Sequence, residues 1–371
     1  MQREFRGRFA EHRLLFLRSA CSRSPYPAST ALSKTIVKTH NASVSVVFAL
    51  CPGAATMTFF FGLGVLTNLV LAVALTLLCE HLAWRLKGKI DPVPLEKLAG
   101  ERDFASIFPG FILALAVPPG APWWLLGVAI ASAVLIAKHA FGGGRNAIVN
   151  PAMFGYLIAL LSYPAQLGAW PPPSSIEFSM GNWLATGSST FLPVTPDAVS
   201  MATPLDLVHH NSGYLLADLF AERPQLRGFG GAGWQEINLA FGLGGIFLLR
   251  RGMLRWHIPV AVLVSLTICA ALFYDEGSSA SGGSPLFHLL SGGTMLGAFF
   301  IATEPNSSPS SQRGKLVYGA LIGLMIYTIR VNGDYPDGVA WAVLIANVCA
   351  PLLDELERQK AQRNTEEHSR S

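Results

Sequence analysis

The chain is a succession of long apolar blocks separated by short polar punctuation. Ten such blocks lie at about 36–54, 58–84, 104–118, 122–139, 152–169, 234–250, 257–275, 286–303, 316–331 and 338–355. An α-helix needs roughly 20 residues to cross a hydrocarbon core of about 30 Å, and the blocks predict ten transmembrane helices on that basis. The third is short and reads as a broken or re-entrant segment. One polar stretch, residues 170–233, divides the blocks five and five. The expected organisation is a basic, disordered N-terminal segment (1–35), a first transmembrane half (36–169), a loop (170–233), a second half (234–355) and a tail (356–371). The fold class expected is all-α and polytopic.

Composition agrees with that pattern. Hydrophobic residues make up 51% of the chain and charged residues 13%, against roughly 25% charged in soluble domains. A soluble core of this size needs more surface charge, so that class is excluded. The formal charge of +4 matters less than its placement. Lys34 and Lys38 flank the start of the first block. Further basic clusters follow the second (Arg85, Lys87, Lys89), fourth (Lys138, Arg145), sixth (Arg250, Arg251, Arg255), eighth (Arg313, Lys315) and tenth (Arg358, Lys360, Arg363). Each lies an even number of crossings from the N terminus, and the positive-inside rule makes that face cytoplasmic. Arg330 is the main exception. Both termini are then expected in the cytoplasm, and the 170–233 loop, which leans acidic, in the periplasm of a bacterial cell with the chain in its inner membrane. Trp84, Trp123, Trp124, Trp170, Trp234 and Trp256 fall at block ends, as interfacial aromatics do. No cleavable signal peptide is evident, and the first block is expected to act as the insertion signal.

The cysteines, Cys21, Cys51, Cys79, Cys269 and Cys349, are scattered without CxxC spacing, which argues against an iron–sulfur cluster held by this chain alone. The two halves look related. FGGGRNAIVNPAMFGYLIAL closes the first and VNGDYPDGVAWAVLIANV the second, and LALAVPPGAP is matched by FFIATEPNSSP. With five blocks per half, equivalent segments would run in opposite directions, as in inverted repeats that frame a site near the bilayer midplane.

The stretch with the most chemistry is Asp197-Ala198-Val199-Ser200-Met201-Ala202-Thr203-Pro204-Leu205-Asp206. Pro204 disfavours the helical region for Thr203 and pushes it to an extended conformation. An extended threonine on a loop is expected to offer its hydroxyl to solvent and to another enzyme, and a phosphoester there would tether a phosphorylated cofactor. Ala202 is small enough to allow close approach, and Asp197 is placed to engage a transferase's metal. On residue chemistry alone the stretch is also an ordinary proline-punctuated turn.

Its Asp-x-x-Ser-x-Ala-Thr pattern resembles the flavinylation signature recognised by the FMN transferase of bacterial redox membrane complexes. The likeness extends well beyond it. GGGRNAIVNPAMFGYL, GAGWQEINLAFGLGG, RWHIPVAVLVSL, HLLSGGTMLGAFFIATEP, RGKLVYGALIGL and NGDYPDGVAWAVLIANVCAPLLD are similar to RnfD/RsxD, the membrane D component of the Rnf/Rsx ion-translocating electron transport complex. They resemble it more than they do NqrB, its relative in the sodium-pumping NADH:quinone reductase. The blocks run from about residue 104 to 355 in the family's order, with weaker likeness back to Ser24. The resemblance implies about ten helices in two inverted five-helix halves and a flavoprotein component of a complex coupling electron transfer to sodium or proton movement. It implies FMN joined by its phosphate to Thr203, with Asp197, Ser200 and Ala202 as recognition residues, and admits a second, non-covalent flavin such as riboflavin. The implied partners are the other Rnf/Rsx subunits (A, B, C, E and G), the FMN transferase during maturation, and the lipid bilayer, with no nucleic acid. Two departures stand out. Arg145-Asn146-Ala147-Ile148-Val149-Asn150-Pro151 replaces a Gly-rich run followed by Asn-Pro-Phe-Asn-Pro, and Thr303-Glu304-Pro305 replaces Thr-Asp-Pro.

Lys138, Glu236, His288, Glu304, Asp334 and Asp337 lie near or within the apolar blocks and are candidates for an ion route, because unpaired charge in lipid is costly. Each is also near a block end, where interfacial solvation accounts for it. His209-His210 and His257 invite a metal or proton-relay reading, but adjacent histidines ligate poorly and His257 beside Trp256 fits an interface. GGGRNA resembles an anion nest yet lacks the Walker lysine and the Rossmann spacing. No metal set and no catalytic residue are expected within the chain.

Two functions of different class follow. One is a membrane flavoprotein component, incomplete as an oxidoreductase without partners that bind nucleotide and clusters. The other is a small-solute channel or secondary transporter of the same two-half architecture. Asp197–Thr203 discriminates them, since a permease has no use for it.

Overall fold

The computed structural model describes residues 28–86, 104–141, 149–176, 178–192, 200–211, 213–275, 277–333, 335 and 337–370. The first half comprises α1 (Ala28–Phe61), α2 (Gly64–Leu86), α3 (Phe104–Ala116), α4 (Trp123–Ala131, continued by a π-helix Ser132–Ala140), α5 (Pro151–Ser162) and the short α6 (Pro164–Gly168). The intervening segment carries α7 (Met180–Ser189), α8 (Pro204–His210), α9 (Leu216–Glu222) and a 3-10 turn, Pro224–Leu226. The second half comprises α10 (Trp234–Arg250), α11 (His257–Leu272), α12 (Pro285–Leu290), α13 (Thr294–Leu296, passing into a π-helix Gly297–Ile301), α14 (Gln312–Asn332) and α15 (Val339–Arg370). Among the described residues extended pairing is confined to two isolated bridges, Trp170 with Met201 and Leu215 with Ser278. Among the described residues five helices are long and apolar enough to cross a membrane, so the protein is an all-α, polytopic membrane protein.

The helix boundaries correct the expectation in two places. The break expected at 55–57 lies instead at Gly62–Leu63, because α1 runs through Pro52 to Phe61. The Cys51-Pro52-Gly53 run serves packing rather than a turn. Gly53 lies flush against Phe241 of α10, where a Cβ would stand 2.2 Å from the ring. The third block is short as expected, at 13 residues, but continuous. The interruption falls in the eighth block, where Ser291–Gly293 separate α12 from α13.

That break exposes backbone groups that lipid cannot satisfy, so side chains must. Asn238 of α10 does much of this. Its Nδ2 donates to Leu290 O (3.0 Å) and Gly292 O (2.8 Å), and its Oδ1 accepts from Met295 N (3.0 Å). Arg330 of α14 adds to it, donating to His288 O (2.8 Å), Ser291 O (3.3 Å) and Thr294 Oγ1 (2.9 Å). Gly292 has φ +56° and no room for a side chain: a Cβ would meet Asp337 Oδ2 at 2.6 Å and Leu205 Cδ1 at 2.8 Å.

The two halves share a pattern of neighbours. In the first, α2 packs on α3 and α4, and α4 on α5. In the second, α11 packs on α12 and α14, and α14 on α15. The halves join where α1 meets α10 and where α5 meets α15. Asn150, which caps α5 by accepting from Met153 N, fastens the second seam. Its backbone N–H donates to Asn347 Oδ1 (2.8 Å) and its Nδ2 to Ile301 O (3.0 Å). Asn347 in turn donates to Ser307 O and to the Tyr318 hydroxyl. Several helices at the centre are shorter than a membrane is thick, roughly 20 Å for 13 residues at 1.5 Å each. Where α3, α5 and the interrupted α12–α13 stop, a cavity opens.

Candidate functional site

Thr203 is the natural starting point, and its local sequence dictates its geometry. Pro204 occupies the first turn of α8, where its missing N–H is no loss. Thr203 is accordingly the N-cap, with φ −67° and ψ 160°, extended as the proline requires. Asp206, three residues on, completes a capping box. The Thr203 hydroxyl donates to Asp206 Oδ2 at 2.6 Å and accepts from Asp206 N at 3.3 Å. The Thr203 backbone N–H donates to Asp206 Oδ2 at 3.2 Å.

This geometry overturns one expectation. Thr203 does not present its hydroxyl to bulk solvent; the residue is 6% exposed. The cap turns the side chain inward, and α8 is pressed down by a small core of its own, Leu205 and Val208 with Leu216, Leu219, Leu226 and Phe287. Upstream, Met201 N donates to Trp170 O (2.7 Å), which fixes the approach to Thr203. Gly231, with φ +93°, lets the backbone pass Pro204; a Cβ would stand 2.2 Å from Pro204 Cγ. Ser200 and Ala202 are exposed, while Asp197 lies outside the described residues.

Thr203 stands in the wall between two cavities. The larger, about 690 Å³ counted to its open mouth, runs between the halves past Tyr156, Trp170, Trp234, Leu296 and Asp337. The smaller, about 230 Å³, lies on the other side, with Ala202, Gln225 and the same two tryptophans. Trp170 and Trp234 meet edge to face with centroids 4.8 Å apart, and Phe61 is 5.4 Å from each. Their place at block ends predicts interfacial aromatics; here they wall the cavities. Gln225 Oε1 is buried without a hydrogen-bond partner among the described residues.

The remaining candidates separate cleanly. Asp337 reaches the large cavity and is held by Arg330 Nε (2.9 Å), Arg330 Nη2 (2.8 Å) and Gly293 N (2.7 Å). Arg330, the exception in the charge pattern, is buried for that purpose. His288 is fully buried beside Phe287 and Tyr327. Lys138 pairs with Glu80, as does His139 Nε2 at 2.8 Å. Glu236 is exposed and accepts from Gln235, Glu304 is half-buried, and Asp334 lies outside the described residues. His210 Nδ1 contacts Asp206 O (2.9 Å), His209 packs edge to face on His210, and His257 stacks on Trp256 at 4.2 Å. Among the described residues no group of three or more His, Cys, Asp or Glu is placed to hold a metal. The Gly-rich segment at 142–148 lies outside the described residues.

Sequence reasoning passed over Glu80, Asn150, Gln225, Asn238 and Asn347. Four of the five were legible as lone polar residues near or inside apolar runs, which in a membrane protein must find partners.

The chain matches the NQR2, RnfD, RnfE family over residues 28–363. It is similar to the D component of the ion-translocating oxidoreductase complex of Cellvibrio japonicus, 43% identical over 322 residues, covering 85% of this chain and 89% of that one. The protein of the same name from Aliivibrio salmonicida is 41% identical over 345 residues, 89% of this chain and 94% of that one. Its counterpart in Cronobacter sakazakii is 40% identical over 347 residues, 90% and 97% of the two chains.

Proposed function

Because the chain belongs to the NQR2, RnfD, RnfE family, we propose that it is the RnfD component of an Rnf/Rsx-type complex that couples electron transfer to sodium or proton translocation, and that Thr203 carries FMN as a phosphoester. The observation that carries this reading is the position of Thr203. Among the described residues its side chain is the only aliphatic hydroxyl lining the large cavity, and it also borders the small one. The flavinylation-like sequence ends on that same residue.

The residues present suit a flavin. Trp170 and Trp234 give aromatic walls, and Leu115, Met153 and Leu296 give an apolar floor. Gln225 Oε1, buried and without a partner among the described residues, offers an acceptor to a hydroxyl of the cofactor's sugar-alcohol chain. Among the described residues Asp337 is the sole charged one lining the large cavity, and its pairing with Arg330 keeps that wall near neutrality. Bound there, the flavin supplies an electron acceptor and donor that the polypeptide lacks. Thr203 tethers it, and the aromatic walls fix its surroundings. A second, non-covalent flavin belongs to the same proposal without an assigned site.

The chain's Lys and Arg distribution supports placing the Thr203 segment on the periplasmic side of a bacterial inner membrane and both termini in the cytoplasm. The other Rnf/Rsx subunits (A, B, C, E and G) are the proposed partners, with the FMN transferase acting during maturation. The test is fluorescence of the denatured polypeptide on a gel after co-expression with that transferase. A flavin-fluorescent band that Thr203→Ala abolishes supports the reading. A dark wild-type band beside a transferase proven on another acceptor rejects it and favours the permease.

A further inference from the structure

Helix α7 turns hydrogen-bonding groups of Trp183 and Thr186 toward the protein and exposes an apolar pair, Met180 and Leu184, with Asn182 and Ser188 also exposed. Inward, Thr186 Oγ1 accepts from Gly64 N (3.1 Å) and Thr190 O accepts from Trp123 N (2.9 Å), so α7 caps the first turns of α2 and α4. Trp183 Nε1 donates to Thr58 O (3.1 Å) and Phe59 O (3.3 Å), satisfying the last carbonyls of α1, and Trp183 O accepts from Leu63 N (3.1 Å). Outward, Met180 and Leu184, one turn apart, are 58% and 50% exposed, and Phe178, Phe191 and Leu192 beside them are exposed as well. Phe178–Leu192 contains no charged residue.

Two observations say what covers this face. The hydrogen bonds fix its height, because the ends of three membrane helices lie at the boundary between hydrocarbon and headgroups. α7 also packs against α2, and α1 and α2 expose Phe59, Leu66 and Val70 in the same way. We infer that α7 is an interfacial helix whose Met180–Leu184 face is immersed in the lipid leaflet on the side of the bilayer that bears the 170–233 segment. An uncharged helix lying in the plane of the bilayer with its apolar face at the acyl boundary is held by buried area alone. Anchored there, α7 holds the entry to the 170–233 segment at a fixed depth. The inference does not depend on the flavin.

The test places p-benzoylphenylalanine singly at Leu184, at Met180 and at Asn182, the last exposed on another side of the helix, in the assembled complex in native membranes. After irradiation, peptide mass spectrometry separates lipid adducts from protein crosslinks. Phospholipid adducts at 184 and 180, with at least a several-fold lower yield at 182, are expected. A crosslink from 184 and 180 to another polypeptide would assign this face to a protein partner and overturn the inference. Equal lipid yields at all three positions, or no adduct at 180 and 184, would overturn it too.

Discussion

Thr203 and Asp206 hold each other reciprocally: the hydroxyl of one donates to the carboxylate of the other at 2.6 Å, and the N–H of the second returns the bond at 3.3 Å. The oxygen that would bear a phosphoester is therefore also the N-cap of α8. Esterification removes the proton that this hydroxyl donates and sets a phosphate against the Asp206 carboxylate. The capping box in the structure belongs to the unmodified chain, and attachment must open at least that contact.

Thr203→Ser preserves both the hydroxyl and the cap, so flavin attachment and α8 should persist. Thr203→Ala removes both, and an N-cap lost to alanine costs about 1 kcal/mol. Hydrogen exchange across 204–210 should rise several-fold in the alanine variant and little in the serine variant.

Burial of Thr203 makes the folded protein a poor acceptor for an external transferase. Opening the capping box with Asp206→Ala removes about 1 kcal/mol of local order, which corresponds to roughly a five-fold larger open population. Purified, unmodified Asp206→Ala protein should be flavinylated in vitro about that much faster than wild type. Equal initial rates in a timed fluorescence assay would mean that Thr203 is reached without opening the box.

Gly231→Ala forces a methyl to within 2.2 Å of Pro204 Cγ at a residue with φ +93°. Overpacking of this kind costs about 1–3 kcal/mol, and the positive φ adds strain. The predicted result is a lower melting temperature in detergent together with reduced flavin occupancy, because the displaced residue adjoins Thr203.

Glu80 is buried between Lys138 and His139. Removing one partner of a buried ion pair costs about 3–5 kcal/mol, whereas neutralising both sides costs far less. Lys138→Met should therefore lower thermal stability strongly, and Glu80→Gln with Lys138→Met should recover most of the loss.

The helical blocks were legible because a membrane span needs only length and hydropathy, and both are local properties. The interruption at Ser291–Gly293 was not, since what holds it open is Asn238 and Arg330, more than 35 positions away in sequence. The extended backbone of Thr203 follows from Pro204 alone. Its burial does not, although a signal is present: Thr203-Pro204-Leu205-Asp206 has a capping-box spacing. Position at block ends assigns Trp170 and Trp234 to the interface; only the packing with Phe61 brings them together as cavity walls.

The most direct test of the central claim is peptide mass mapping of the protein after co-expression with an active FMN transferase. One FMN phosphoester is predicted on the peptide spanning Asp197–Leu205, localised to Thr203 and absent from Thr203→Ala. An unmodified peptide in the wild type, or FMN on a different residue, would contradict the account.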